Sequence, residues 1–213
     1  GFVAKSLTPE PRIGNPLPRI AEVPAGMLNA ISLENVGVEA FVSEKLPALP
    51  EGVTVIARVF GTAPHEYAEV CKRLADVPRV AGIEVNVSCP HVKSGGIEFG
   101  QDPRVLAELV RVVRGAASQP LLVKLSPNVT SIAEMAKVCE GEGADAEIRQ
   151  REDRDAAGAQ ALQDAHGLRD LGRGQFQPVV VPHADFGGQR LGLIQPAVEI
   201  FDLLLARLAR LTP

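Results

Sequence analysis

The sequence predicts an α/β fold on a parallel β-sheet over residues 1–146. Short β-rich runs alternate there with helical patterns long enough to carry the chain from one parallel strand to the next. Polar residues repeatedly follow the strands, at Lys5-Ser6, 86–90 and 124–128. In a (β/α)8 barrel these positions form the C-terminal face, where functional sites are built. A doubly wound open sheet gives the same alternation, so periodicity leaves both architectures open.

Four β-rich runs, at residues 2–4, 53–60, 82–87 and 121–125, predict the strands. A loop rich in Pro and Gly is predicted over residues 8–35. The first helix begins at Pro64, because proline is favoured in the first turn of a helix. Apolar residues recur along it at i, i+3, i+4 and i+7: Tyr67, Val70, Cys71 and Leu74.

Two further helices are marked by residues that cap helix N-termini. Asp102 before Pro103 predicts the start of the second helix. Its expected inner face consists of Leu106, Leu109, Val110 and Val113. Ser131 and Glu134 form a capping box that predicts the third helix. The residues expected to point inward from it are Ile132, Met135, Ala136 and Cys139.

Composition narrows the classes of function. The chain has 22 basic and 26 acidic residues among 213, and it lacks the clustered Lys and Arg of a nucleic-acid surface. No apolar run approaches the roughly 20 residues of a membrane helix. The chain has three widely spaced cysteines, a number and spacing that argue against a disulfide framework or a zinc site. This cysteine content fits a protein of the reducing cytoplasm best. His166 and His183 have no spaced partner, so no metal site is expected.

The pattern changes after Ala146. Residues 147–173 hold 11 charged residues and only four of Ile, Leu, Val or Phe, which predicts no buried barrel strand. A Val run at 178–182 predicts a short strand, and 196–211 an amphipathic helix. We therefore expect a partial barrel at 1–146, a disordered or frame-shifted segment at 147–195, and a helix within 196–213. The absence of an initiator Met before Gly1 indicates a missing N-terminal piece.

Cys89 is the residue best suited to remove a proton from carbon. It lies in Asn86-Val87-Ser88-Cys89-Pro90, where a predicted strand breaks into a loop. The ordinary thiol pKa of about 8.5 lies far closer to neutrality than that of a serine hydroxyl. The alternative is a buried or incidental cysteine, an interpretation that suits Cys71 and Cys139 on the apolar faces of helices.

Two lysines also follow apolar strands. Lys124 comes after Leu121-Leu122-Val123, and Lys5 comes after Phe2-Val3-Ala4. A lysine there is costly to bury unless it meets an anion or an electron-rich ring. The alternative for each is a side chain that extends to solvent. Asn29 is either a ligand contact or a turn residue, and Gly95-Gly96 is either a hinge over the site or an ordinary turn.

Together these segments resemble the class 1, B-type dihydroorotate dehydrogenases across nearly all of residues 1–146. The stretches that carry the resemblance are Lys5-Ser6-Leu7-Thr8, Gly14-Asn15-Pro16, Met27-Leu28-Asn29-Ala30-Ile31, Asn86-Val87-Ser88-Cys89-Pro90, Gly95-Gly96-Ile97, Phe99-Gly100 and Val123-Lys124-Leu125-Ser126-Pro127-Asn128-Val129-Thr130. The resemblance implies a (β/α)8 TIM barrel that holds FMN at its C-terminal mouth. In this chain the barrel is expected to be incomplete, because the family's first strand would precede Gly1 and residues 147–190 do not match the family's pattern.

The resemblance also implies roles for individual residues. Cys89 would take the C5 proton of dihydroorotate while a hydride passes from C6 to flavin N5, giving orotate. Lys5 and Ser6 would contact FMN, with the Lys5 amine also near the substrate, and Lys124 would lie against the flavin. Asn86 would touch both ligands. The residues implied to hold the pyrimidine ring are Asn29, Ala30, Ile31, Ser32 and Leu33.

The resemblance also implies a partner subunit, and this sequence differs from the family's pattern at several positions. In the B-type subclass electrons leave through a separate FAD and iron–sulfur subunit to NAD, within a homodimer or heterotetramer. Arg58 stands where the family carries an asparagine that contacts FMN, Ser32 replaces a glycine and His91 an asparagine. The Cys-Pro-His form is similar to dihydropyrimidine dehydrogenase. The sequence is also compatible with a non-catalytic barrel fragment, while an unrelated phosphate-binding barrel would require glycine-rich phosphate loops.

Overall fold

The computed structural model describes residues 1–23, 26–89, 96–126, 128–149 and 177–179. In chain order its elements are β1 (Phe2–Val3), β2 (Ile20–Val23), β3 (Gly26–Asn29), α1 (Gly37–Ala40), a π-helical turn (Phe41–Lys45), β4 (Val55–Val59), α2 (Pro64–Leu74), β5 (Val80–Asn86), a 3-10 turn (Gly96–Glu98), α3 (Pro103–Arg114), β6 (Leu121–Leu125), α4 (Ile132–Gly141), β7 (Ala146–Arg149) and β8 (Gln177–Val179).

Five parallel strands form the main sheet, in the order β1-β4-β5-β6-β7. The helices α2, α3 and α4 each connect one strand to the next strand along, as parallel pairing requires. The predicted α/β fold with a parallel sheet is therefore confirmed for residues 1–146. Within the described residues β1 and β7 form the two edges of this sheet.

The three long helices begin where their capping residues predict. Pro64 occupies the first turn of α2. The Asp102 carboxylate accepts hydrogen bonds from the amides of Arg104 and Val105, at 2.7 and 3.3 Å. The Ser131 hydroxyl accepts one from the Glu134 amide at 3.2 Å. Because the first amides of a helix have no partner within the helix, these side chains stabilise the helix starts.

The two faces of the main sheet differ in chemistry. One face packs against the helices and carries a continuous apolar core from β4, β5 and β6. The strand residues on this helix-facing side are Val55, Ala57, Val59, Ile83, Val85, Leu121, Val123 and Leu125. Since side chains alternate along a strand, the residues between them lie on the opposite face. That face carries charged and amide groups towards the carboxyl ends of the strands, and we call it the polar face.

Three parts of the structure depart from the sequence predictions. The predicted loop over residues 8–35 contains an antiparallel hairpin of β2 and β3, to which β8 adds a third strand. Residues 37–45 are helical, with no such element predicted. The strand pattern was expected to end at Ala146, whereas β7 continues to Arg149 and pairs with β6. An edge strand tolerates charge because one of its sides faces solvent, and Glu147 is exposed.

Several predictions fall on other parts of the chain. Of the strand predicted at 178–182 the structure describes 178–179, which belong to β8. The helix predicted at 196–211 lies outside the described residues, as do Pro90, His91, Gly95 and Pro127. Within the described segments, no helix is both long and apolar enough to cross a membrane.

Candidate active site

The polar face brings four functional side chains together from three neighbouring strands. Arg58 on β4 lies beside Glu84 on β5, and Asn86 on β5 lies beside Lys124 on β6. Residues paired across a sheet share a face, and Glu84 and Asn86 are two apart on one strand. All four therefore project from the same side of the sheet, towards the carboxyl ends of its strands.

Arg58 and Glu84 form an ion pair on this face. The Arg58 Nε donates to Glu84 Oε1 at 2.5 Å. The Glu84 side chain is only 3% exposed, whereas that of Arg58 is 29% exposed. A buried carboxylate needs a partner of opposite charge, and Arg58 supplies it. The guanidinium is thereby held along the sheet by its inner nitrogen.

Asn86 is the centre of a buried hydrogen-bond network. Its Nδ2 donates to Ser6 Oγ at 3.0 Å, which joins the end of β5 to the segment after β1. Its Oδ1 accepts from the amide and the hydroxyl of Ser88, at 3.3 and 3.2 Å. The Tyr67 hydroxyl donates to the Asn86 carbonyl at 3.0 Å. Both predicted site residues Ser6 and Asn86 are thus fixed in one cluster.

Lys124 is the second cation of the polar face. Burial lowers the pKa of its ammonium group, nearby Arg58 lowers it further, and Glu84 and Cys89 act in the opposite direction. Among the described residues, no hydrogen bond or ion pair is made by the ammonium group of Lys124, while its backbone carbonyl accepts from the Val87 amide at 3.3 Å. A half-buried ammonium without a partner is unfavourable, which agrees with the sequence argument that this lysine meets a ligand.

Cys89 lies just beyond β5 and is 8% exposed. It lies near enough to Lys124 to raise the pKa of that ammonium group. Gly96 packs directly against it: a Cβ on Gly96 would approach the Cys89 carbonyl oxygen to 2.5 Å, and the backbone φ of Gly96 is 57°. Gly100 approaches the Val87 carbonyl in the same way. These two glycines let residues 96–100 pack closely against the backbone of Val87 and Cys89.

The other two cysteines are structural in character. Cys71 on α2 and Cys139 on α4 have no solvent exposure, and all three cysteines are free thiols. Burial raises the pKa of the Cys71 and Cys139 thiols to about 12. A thiol that keeps its proton is a poor nucleophile and a poor base. Cys89 is also buried and belongs to the same apolar core cluster, so its role as a base stays a prediction.

Three aromatic rings support the Cys89 segment from the helix side. Tyr67 lies between Phe60 and Phe99, with ring centroids 5.8 and 5.9 Å away. Burial raises the pKa of the Tyr67 hydroxyl, so it acts as a permanent hydrogen-bond donor to Asn86. The cluster links the end of β4, helix α2 and the turn after Gly96. It positions the network without itself reaching the polar face.

Lys5 follows strand β1 and precedes Ser6. It is exposed, and it borders a cleft of about 790 Å³ lined also by Glu34 and by apolar residues such as Phe2, Leu7 and Phe41. Desolvation by its neighbours lowers the pKa of the Lys5 amine, Glu34 opposes this, and Arg19 adds to it. A contact between Lys5 and a ligand stays a prediction.

The segment predicted to hold a pyrimidine, residues 29–33, begins at the end of β3. The Ala30 amide donates to the Arg19 carbonyl at 2.8 Å, and the Ala30 carbonyl accepts from Asn15 Nδ2 at 2.7 Å. The Asn29 Oδ1 accepts from the Ile31 amide at 3.5 Å. Ser32 adopts a positive φ of 68°, which explains why a glycine suits this position. Leu33 is buried in the core. Ligand contacts by this segment stay a prediction.

Sequence reasoning missed Glu84. Its signal was present, because a carboxylate interrupts the apolar run Ile83-Glu84-Val85 in a strand predicted to be buried. Its partner Arg58 was noticed only as a departure from a family pattern. Within the described residues no group of three or more His, Cys, Asp and Glu side chains is arranged to hold a metal ion.

Comparison with known proteins gives one consistent result. The family model described as "Dihydroorotate dehydrogenase" matches residues 1–147. Over 146 residues the chain is 56% identical to "Dihydroorotate dehydrogenase B (NAD(+)), catalytic subunit" of Pelobacter propionicus, and 57% identical to the protein of that name in Trichlorobacter lovleyi. The protein of that name in Geobacter sulfurreducens is 52% identical. Each match covers 68% of this chain and 48% of the relative. The chain thus spans about half the length of the curated relatives it matches.

Proposed function

Because the chain belongs to the dihydroorotate dehydrogenase family, we propose that it carries the catalytic half of a B-type enzyme that oxidises dihydroorotate to orotate. The observation that carries the proposal is the position of Cys89 beside a polar face bearing Asn86 and Lys124. Cys89 would act as the base that removes a carbon-bound proton. Asn86 and Lys124 would donate hydrogen bonds to a heteroaromatic ligand. The reaction belongs to the synthesis of pyrimidines.

FMN is the proposed cofactor, and the donor set of the polar face suits it. A flavin ring presents carbonyl oxygens and ring nitrogens, which accept hydrogen bonds. Lys124 and the two terminal nitrogens of Arg58 have no hydrogen-bond acceptor among the described residues. Asn86 and Ser6 add an amide and a hydroxyl, already held together at 3.0 Å. When bound, FMN supplies the acceptor for the substrate hydride.

Each side chain has a defined part in the proposed reaction. Cys89 removes the C5 proton of dihydroorotate, and its backbone is held in place by the close approach of Gly96. Lys124 would lie against FMN, and Asn86 would contact both FMN and the substrate. Lys5 contacts the substrate from the segment after β1, and residues 29–33 hold the pyrimidine ring. Residues fixed by buried hydrogen bonds keep these groups oriented before the ligand arrives.

The finer fold proposal is a (β/α)8 barrel of which the five parallel strands are part. Two observations support it. Phe2 and Val3 on the edge strand β1 are 40% and 36% exposed, and Phe2 lines a largely apolar cleft. Further strands and helices of a barrel would cover both. The relatives are named as catalytic subunits, which supports a separate partner subunit. We propose that this partner carries FAD and an iron–sulfur cluster, in a homodimer or heterotetramer.

The second candidate is a non-catalytic barrel fragment, and the same exposed edge of β1 favours it. An open sheet leaves unpaired backbone groups and admits water to the polar face, which weakens every electrostatic contact there.

A spectroscopic titration separates the two candidates. The purified 213-residue chain is mixed with FMN, freed of unbound flavin, and titrated with dihydroorotate without oxygen. The proposal predicts a yellow protein whose visible flavin absorption is lost on adding dihydroorotate. A colourless protein, or a yellow one that dihydroorotate leaves unchanged, would identify the fragment.

A further inference from the structure

One buried hydroxyl contacts the backbone on both sides of Cys89. Tyr67 on α2 has no solvent exposure, and its hydroxyl donates at 3.0 Å to the carbonyl of Asn86, three residues before Cys89. Burial raises the pKa of this hydroxyl, and hydrogen bonds from the backbone of Gly61 and Gly96 oppose the rise in part. Gly96 follows Cys89 by seven residues, so the hydroxyl joins the segment before the thiol to the segment after it.

The Asn86 carbonyl needs this donor because strand β4 does not extend far enough to supply one. The next amide, that of Val87, donates to the Lys124 carbonyl of β6 at 3.3 Å. The carbonyl of the same peptide unit therefore points the other way, towards β4. The pairing of β4 with β5 ends at Val59, and the Tyr67 hydroxyl takes the place of a strand donor. A buried carbonyl without a donor is unfavourable.

The second contact of the hydroxyl lies directly against the thiol residue. A Cβ on Gly96 would approach the Cys89 carbonyl oxygen to 2.5 Å and the Cys89 Cβ to 3.3 Å, so a shift of Gly96 also moves Cys89 or opens a gap beside it. The Tyr67 ring is itself held between Phe60 and Phe99, with centroids 5.8 and 5.9 Å away. The ring is thus a fixed support from which the hydroxyl reaches both segments.

We propose that Tyr67 is a positioning residue for Cys89: its hydroxyl ties together the backbone before and after the thiol and so fixes where the thiol lies. This inference rests on the proposed function, which assigns Cys89 as the base. Tyr67 packs on the helix side of the sheet and acts through Cys89. Its loss should therefore slow proton removal and leave ligand affinity unchanged.

The first experiment measures the thiol itself and needs neither FMN nor substrate. The full chain is treated with iodoacetamide, and the alkylation rate of each cysteine is read by mass spectrometry of its peptide. Cys89 is 8% exposed, so it reacts when its segment opens locally. Tyr67→Phe keeps the ring and removes the hydroxyl. It should raise the Cys89 rate about 2- to 10-fold, the change in open population that one hydrogen bond controls.

The chain carries its own controls for general loosening. Cys71 and Cys139 have no solvent exposure, and Cys71 lies one turn after Tyr67 on α2. Their alkylation rates should stay at the parental value in Tyr67→Phe. The matched variant Val70→Ala removes buried packing from the same helix and leaves the hydroxyl in place. It should not raise the rate of Cys89 relative to that of Cys71.

The second experiment separates positioning from binding. Flavin reduction is followed by stopped-flow absorbance over a range of dihydroorotate concentrations. In Tyr67→Phe the limiting rate should fall about tenfold, because a small displacement of a reacting group costs this much or more. The dihydroorotate concentration that gives half the limiting rate, and the affinity for FMN, should both stay parental.

Each result supports or overturns the proposal. A parental Cys89 alkylation rate in Tyr67→Phe overturns it, as does a rise shared equally by Cys71 and Cys139. A parental limiting rate of reduction, or a loss confined to ligand affinity, also overturns it. Failure of the proposed function is a separate result, namely a parent whose flavin dihydroorotate does not reduce. A selective rise in Cys89 alkylation in such a chain would keep the hold of Tyr67 on the thiol and reject the activity.

Discussion

The two faces of the main sheet serve different purposes. On the helix-facing side, strand residues such as Ala57, Ile83 and Val123 have no solvent exposure and form one continuous core. On the polar face, the intervening residues Arg58, Glu84 and Lys124 carry charge. Each strand therefore alternates between residues that stabilise the fold and residues that would bind a ligand.

The difference shows where stability and function separate in this chain. The apolar face lowers the free energy of the folded state through burial. The polar face lowers stability where its charges are left without partners, and such unfavourable arrangements are typical of functional sites. Substitutions on the two faces should accordingly change different measurements.

The largest effect is expected from Cys89. Cys89→Ala removes the proposed base, so flavin reduction by dihydroorotate should slow by about 10²- to 10⁴-fold while FMN stays bound. Stopped-flow absorbance of the flavin measures this rate. The matched control is Cys139→Ala, a buried thiol on α4 away from the polar face, which should reduce flavin at the parental rate. Parental rates in Cys89→Ala would reject the base assignment.

A substitution in the helix-facing core should act on stability instead. Leu109 on α3 has no solvent exposure, and Leu109→Ala should lower the free energy of unfolding by about 2–5 kcal/mol through lost burial and a cavity. Urea denaturation followed by circular dichroism measures it. Val112 on the same helix is 38% exposed, and Val112→Ala should cost far less. Similar losses at both positions would contradict the assignment of the buried face.

The buried thiols make stability depend on pH. The pKa of Cys71 and Cys139 is raised to about 12, so the folded state keeps their protons while the unfolded state loses them above about pH 8.5. Their contribution is complete below that pH, and it declines by about 1.4 kcal/mol per pH unit for each thiol up to about pH 12. Unfolding free energies of the parent and of C71A/C139A across this range measure the slope. Identical slopes would show that these thiols do not contribute.

The smallest effect is expected at a helix start. Asp102→Ala removes the carboxylate that accepts from the amides of Arg104 and Val105, and it should lower the free energy of unfolding by about 1 kcal/mol. Glu108→Ala, an exposed acidic residue later in α3, is the control for the change of charge. If both variants lose the same stability, charge rather than capping is responsible.

Local signals in the sequence were sufficient for part of this fold. The start of α2 at Pro64, the cap of α3 at Asp102 and strand β6 were all predicted, because capping and periodicity act over a few residues. The hairpin of β2 and β3 was missed in a segment rich in Pro and Gly. Its third strand, β8, lies about 150 residues further along the chain, and no local pattern reports such a pairing.

In the candidate site, individual residues could be predicted from the sequence, but their pairing across strands could not. The thiol of Cys89 and the cation of Lys124 stand out because each follows an apolar strand. The pairing of Arg58 with Glu84 depends on the register between two strands, which sequence alone does not reveal. That register places Glu84 beside Arg58, and the resulting ion pair holds the Arg58 side chain along the sheet.

Lys124 gives the most direct test of the division between the two faces. Burial lowers the pKa of its ammonium group, so the charge is unfavourable in the folded state without a ligand. In Lys124→Met, we expect the free energy of unfolding without ligand to be unchanged or higher, while FMN affinity falls at least about tenfold through loss of a charge-assisted hydrogen bond. Lower stability with undiminished FMN affinity would contradict the account, because Lys124 would then serve the fold and not the ligand.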